Sequence, residues 1–205
     1  MTGLSPTGYD LPVYEYVRPP ELSGSGRSRY RVVIVGAGLA GLTLACDLAS
    51  RGIAATVLDE DDTVGVRGAS SRGICYAQKS LEIFDRLGIY HRIRDKGVTW
   101  SVGKVLRGQD ALYRFDLAEG SRSAQPPFIN IQQFYVEWFL VDRIRELGIT
   151  DLRWKNRVTS IRQDGDGAVL TVETPDGAYS LEADWVIDAS GHASTIRNAL
   201  GLQTR

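Results

Sequence analysis

The run Gly36-Ala37-Gly38-Leu39-Ala40-Gly41 constrains this chain more than any other feature, because an unbroken apolar segment precedes it and an amphipathic one follows. Residues 32–35, Val-Val-Ile-Val, read as a strand covered on both faces, as in a central parallel sheet. Over residues 39–51, Leu39, Leu42, Ala45, Leu48 and Ala49 lay one apolar stripe at helical spacing. Gly52 stands where a helix C-terminal cap is expected. Residues 55–58 read as a second strand, which ends at Asp59. Strand, glycine turn, helix, strand and acid in this order predict a dinucleotide-binding unit.

The three glycines have different tasks. Gly36 permits the tight turn out of the strand. Gly38 has no Cβ, so a pyrophosphate can approach the backbone. Gly41 lets the helix lie close on the sheet. Around them, the amides of Ala37, Leu39 and Ala40 sit at a helix start, where N–H groups lack intrahelical partners and carry roughly half a unit of positive charge. Asp59 is placed to accept both hydroxyls of an adenosine ribose. It would repel a 2′-phosphate, which favours FAD or NAD over NADP in this pocket. Glu60 is the alternative acid, and the strand register favours Asp59.

Downstream, residues 79–94 predict a helix and residues 98–117 a set of strands. Residues 133–147 predict an amphipathic helix through Val136, Phe139, Leu140, Ile144 and Leu147. Residues 157–162, 169–174 and 179–182 predict a three-stranded meander, with turns at 164–167 and 175–177. Residues 185–187 predict a further buried strand, and 194–200 a short helix. The first 29 residues hold Pro6, Pro12, Pro19 and Pro20 and the run Ser23-Gly24-Ser25-Gly26. They predict an extended arm packed through Tyr14 and Tyr16, followed by a flexible linker.

Three further segments carry a resemblance. Residues 70–88 begin Ser-Ser-Arg-Gly. Residues 131–137 read Ile-Gln-Gln-Phe-Tyr-Val-Glu. Residues 188–197 read Asp-Ala-Ser-Gly-His-Ala-Ser-Thr-Ile-Arg. In this order after the glycine turn, they resemble the FAD-dependent aromatic hydroxylases, the p-hydroxybenzoate and hydroxyphenylpropionate hydroxylase-like group. That resemblance implies a Rossmann-like α/β FAD-binding domain with a central parallel sheet, helices and a β-meander. The start of a β-rich substrate domain would be included and the fold would be incomplete. The implied organisation is an arm and linker over 1–29, the FAD domain in two parts over 30–97 and 131–205, and substrate-domain strands over 98–130.

The resemblance also implies site residues. Arg72 would reach the flavin nucleotide, where a planar guanidinium suits a pyrophosphate or flavin edge. Gln133 would hydrogen-bond the ribityl chain, since its amide both donates and accepts. Ser190 and Gly191 would form the second fingerprint, with Ser194 and Arg197 in register. Two positions depart from the family: Ser190 stands where an acid is usual, and Ala193 where an arginine is usual. The family's third motif lies beyond the last residue, so the expectation is the N-terminal part of a longer enzyme.

The implied activity is hydroxylation of an aromatic substrate with NADH or NADPH and O₂. The alternatives are a reductase, dehydrogenase or halogenase of the same fold, or an inactive nucleotide-binding fragment. No catalytic acid or base can be named, and His192 reads as structural or solvated. Trp100, Tyr113 and Phe115 are expected in core packing or along a substrate pocket. The net charge of −1 gives no reason for a nucleic-acid partner. Cys46 and Cys75 lack metal-ligand spacing and make no disulfide framework, so no metal and a cytoplasmic setting are expected. No apolar run reaches the roughly 20 residues that span a bilayer. Residues 1–9 lack the basic start and apolar core of a signal peptide.

Overall fold

A computed structural model describes residues 10–24, 29–65 and 73–203. The chain forms two compact units, Met1–Ser70 with Leu140–Arg205, and Ser71–Phe139. The first opens with a 3-10 turn at Pro20–Ser23, then β1 (Arg29–Val35), α1 (Leu39–Ser50) and β2 (Thr56–Leu58). The second holds β3 (Cys75–Ala77), α2 (Gln78–Arg86), α3 (Tyr90–Lys96), β4 (Val98–Trp100), β5 (Val102–Arg107), β6 (Asp110–Asp116) and β7 (Phe128–Asn130). α4 (Gln133–Leu147) carries the chain back to the first unit. There follow β8 (Asp151–Arg153), β9 (Arg157–Asp164), β10 (Gly167–Thr174), β11 (Gly177–Asp188) and α5 (Thr195–Ala199).

In the first unit one mixed sheet runs in the order β8-β2-β1-β11-β10-β9. β1 pairs in parallel with β2 and β11, and β2 with β8, while β9, β10 and β11 form an antiparallel meander. The β-branched run of β1 explains its central place: Val33 and Ile34 are fully buried. Val33, Val35, Leu58, Leu170, Val172, Leu181, Ala183 and Ile196 form one apolar cluster, and burying each large side chain contributes about 1.5–3 kcal/mol. The register decides the geometry that matters for function. Val35 pairs with Leu58 on one side and Asp188 on the other. Gly36, Asp59 and Ala189 therefore leave the sheet side by side, at the carboxyl edge where open α/β sheets bind ligands.

The second unit contains a three-stranded sheet, β3-β7-β4, and a two-stranded ribbon, β5-β6. Leu81, Phe84, Leu87, Ile89, Ile93 and Ile129 are buried.

Several details differ from the sequence reading. The helix expected over 79–94 is two helices, α2 and α3. Gly88 takes φ 82° between them, and the Ile89 amide bonds back to the Phe84 carbonyl at 3.0 Å, a helix-ending arrangement that glycine favours. The strands expected at 179–182 and 185–187 are one strand, β11. Asp184 does not break it, because its carboxylate faces outward and accepts from Arg29 Nε at 2.5 Å. β3, β7 and β8 have three residues each, too few for a period to show. Of the aromatic residues expected in core packing or along a pocket, Trp100 stacks on Phe128 at 4.9 Å. Phe115 covers Gly103, whereas Tyr113 is exposed. Of the expected leader, residues 1–9 and 25–28 lie outside the described residues. Tyr14 is buried as expected.

Candidate functional site: the glycine turn and its acids

Two hydrogen bonds gather the carboxyl edge of the first unit. The Gly36 amide donates to the Leu58 carbonyl and the Ala189 amide to the Val35 carbonyl, each at 2.8 Å. Gly36 takes φ 106°, and a Cβ there would lie 2.5 Å from the Ala189 carbonyl oxygen. A Cβ on Gly41 would lie 1.9 Å from the Gly36 carbonyl oxygen. Both glycines are thus demanded by the protein's own backbone.

Gly38 is different. Its φ of −78° and ψ of −176° suit any residue, and a Cβ there would meet nothing within 4 Å. Among the described residues, packing gives no reason for glycine at 38. Gly38 also caps α1 without a side-chain bond, so the first-turn amides remain for an external acceptor. The residues present therefore fit a bound diphosphate.

Asp59 is half-buried beside this turn. Its Oδ2 accepts from the Ala37 amide at 2.5 Å and its Oδ1 from the Asp61 amide at 2.8 Å. A carboxylate offers about four acceptor positions, so two are left after these bonds. Burial pushes the Asp59 carboxyl up to about 6, against the lowering effect of the two amides. Glu60 is exposed, with Oε2 3.6 Å from Arg157 Nε. The structure thus gives the two acids different surroundings: Asp59 faces the glycine turn and Glu60 faces solvent.

The second fingerprint closes the same edge. Asp188 accepts from the Ser190 amide at 3.1 Å, from Ser190 Oγ at 2.5 Å and from Ser194 Oγ. Burial alone would raise the Asp188 carboxyl, but the bonds from Ser190 and Ser194 outweigh it and hold it below the usual carboxylate range. Ser194 also caps α5 by accepting from the Arg197 amide at 2.8 Å. Gly191 takes φ 85° with open space at its Cβ position. The Arg197 guanidinium donates to the His192 carbonyl. Ser190 is a site candidate from sequence, whereas Asp188 is not. The signal was present, since a carboxylate two and six residues before serines suits an Asx-type turn.

In the second unit, Gln133 Oε1 accepts from the Gly73 amide at 3.2 Å and its Nε2 donates to Glu137 at 2.8 Å. Its amide is oriented by protein groups, and Glu137 is a buried carboxylate that is not among the candidates from sequence. Arg72 lies outside the described residues.

Away from this edge, a groove of about 700 Å³ in the first unit is lined by Arg29, Gln163, Asp184, Trp185 and Leu200. It starts at the opposite end of β1 from the glycine turn, roughly 20 Å away by strand rise. It shares no residue with the turn. Among the described residues no helix is long and apolar enough to cross a membrane.

Comparison with known proteins places residues 29–205 within the family model described as an FAD binding domain. A flavin-dependent monooxygenase of Mycobacteroides abscessus is 32% identical over 83% of this chain and 37% of its own length. A para-nitrophenol 4-monooxygenase of Pseudomonas sp. strain WBC-3 is 31% identical over 83% of this chain and 42% of its own. Among solved structures, p-nitrophenol 4-monooxygenase PnpA from Pseudomonas putida DLL-E4 superposes with a TM-score of 0.80 at 28% identity, covering 86% of this chain and 45% of that one. The chain thus spans less than half the length of these relatives.

Proposed function

The chain belongs to the FAD-binding-domain family, and on that premise we propose that it is the flavin-holding part of an NAD(P)H-dependent monooxygenase that hydroxylates a phenolic ring. One observation carries the binding reading: Gly38 keeps open, at the start of α1, a space that none of the described residues fills. The amides of Gly38, Leu39 and Ala40 would hold the diphosphate of FAD. The two acceptor positions left on Asp59 would take the two ribose hydroxyls. Asp188, through its bonds to Ser190, would keep the Ser190–Gly191 turn in place beside them. By family resemblance, Arg72 would meet the nucleotide and Gln133 the ribityl chain. The chemistry that FAD supplies when bound is passage of reducing equivalents from NADH or NADPH to O₂, with one oxygen entering the ring.

Support for a phenolic substrate comes from the relatives, two of which are named for action on p-nitrophenol. A reductase or halogenase is the second reading, favoured by Ser190 at the usual place of an acid. We place the protein in the cytoplasm, in keeping with Cys46 and Cys75 both being free thiols.

The test has two stages. Flavin fluorescence is followed as the purified chain is added to FAD; saturable one-to-one quenching supports the binding reading, and none from a folded chain overturns it. Protein containing this chain is then given NADH or NADPH, O₂ and a panel of phenols. Substrate-dependent oxidation with a hydroxylated product supports the monooxygenase reading. A reduced or halogenated product overturns it.

A further inference from the structure

We propose that the segment around Tyr14 is a positioning element for the adenosine end of the cofactor site, acting through the loop that carries Asp59. This proposal rests on the FAD reading above and adds to it a part of the chain that precedes residue 29, where the family match begins.

The loop after Asp59 is held from two sides within the first unit. On one side stands the β8–β9 turn. The Asn156 amide donates to the Asp59 carbonyl at 2.7 Å, and the Lys155 amide to the Asp61 carbonyl at 3.0 Å. Lys155 Nζ lies 2.7 Å from Asp62 Oδ2. On the other side stands the leader. The Tyr14 amide donates to the Asp62 carbonyl at 2.7 Å, and Thr63 Oγ1 donates to the Pro12 carbonyl at 2.7 Å. Val13 and Thr63 form an antiparallel bridge. The leader is therefore tied to the acid loop by one antiparallel bridge and two hydrogen bonds.

Tyr14 anchors that segment. Its ring is buried, stacks on Trp154 at 4.5 Å with planes 12° apart, and has the Arg145 guanidinium 4.7 Å from its centre. Further along, Glu21 pairs with the buried Arg153, and Arg18 with Asp176. These contacts join positions more than 130 residues apart and fix where the leader can lie. Tyr14 fixes Asp62, the Asp61 amide fixes Asp59, and Asp59 fixes Ala37 in the glycine turn. A displaced leader moves the carboxylate that faces the ribose. The leader also meets β1 through the Tyr30 hydroxyl and Glu21, so affinities are compared well below each unfolding midpoint.

The experiment compares Tyr14→Ala, Tyr14→Phe and Thr63→Val with the unaltered chain. FAD and ADP dissociation constants are measured well below each unfolding midpoint. Tyr14→Ala is expected to weaken FAD and ADP alike by about tenfold, equivalent to roughly 1.4 kcal/mol. Tyr14→Phe keeps the stacked ring and is expected to restore binding to within twofold. Thr63→Val removes the bond to Pro12 with little change in the core, and provides the test should Tyr14→Ala fail to fold; a several-fold loss of affinity is expected. If the unaltered chain binds FAD and the folded variants bind it equally well, the positioning role is overturned and the FAD reading stands. If the unaltered chain binds neither FAD nor ADP, both fail together.

Discussion

The Asp59 carboxylate and the Ala37 amide are joined at 2.5 Å, so the acid that ends β2 also holds the glycine turn that follows β1. One side chain thus has two tasks at the carboxyl edge of the sheet: it shapes the turn and presents acceptors beside it. Because burial raises its carboxyl to about 6, these tasks titrate. The carboxylate form accepts from ribose hydroxyls, whereas protonation converts an acceptor into a donor. FAD affinity should therefore be flat above about pH 7 and fall as pH drops through about 6. In the ligand-free chain the sign is opposite. A raised folded value means that Asp59 favours folding at low pH, and this contribution is lost as pH rises through about 6. Calorimetric FAD titrations from pH 5 to pH 8 measure the first effect, and Asp59→Asn should remove its pH dependence.

The glycines separate folding from binding. Gly38→Val places its side chain in open space, so the unfolding midpoint should hold while FAD affinity falls about 100-fold, the loss of one or two charge-assisted bonds. Gly41→Ala drives a Cβ into the Gly36 carbonyl and should cost at least about 3 kcal/mol of stability. Urea unfolding beside flavin titration reads both. Loss of stability in Gly38→Val would mean that the space is not free.

Arg153 ties β8 to the leader and to β11. Its guanidinium meets Glu21, Asp151, Tyr30 and Tyr179, with little exposure of its own. Burial alone would lower its pKa, but Asp151 and Tyr179 outweigh that and keep it raised. Arg153→Ala leaves the Glu21 carboxylate buried and should cost about 3–5 kcal/mol. Tyr179→Phe removes one hydroxyl from the same network and should cost about 1 kcal/mol. Urea midpoints at unchanged m-values measure both.

Ser194→Ala removes the cap of α5 and one donor to Asp188, and should cost about 1–2 kcal/mol. Asp188 has a lowered carboxyl, so its stabilising contribution is present above the ordinary aspartate value and lost as pH falls through its folded value. In Ser194→Ala that acid-side loss should begin at higher pH. Thermal midpoints between pH 3 and pH 6 check this.

The sequence announced the β1–α1–β2 unit, since a β-branched run, three spaced glycines and a helical stripe each have one physical reading. The long α4 was legible for the same reason, with two full turns of apolar spacing on each side of Leu140. Short strands such as β7 and β8 were not, because three residues show no period. The break between α2 and α3 had its signal in Gly88, which the apolar positions around it masked. Within the site, the glycine turn and the two acids stand together at one edge, as their order along the strands implied. What spacing did not reveal was that Asp59 spends two acceptor positions on its own backbone. Nor did it reveal that the leader braces the loop behind it. Both depend on contacts between segments far apart in sequence.

On the proposed function, the amides at the start of α1 meet a diphosphate and Asp59 the sugar next to it. Amide chemical shifts followed by NMR while ADP is added test this directly. Saturable changes are expected, largest at Gly38, Leu39, Ala40 and the 59–61 loop. Changes centred instead on the groove at Arg29, Asp184 and Trp185, with the glycine turn unmoved, would contradict it.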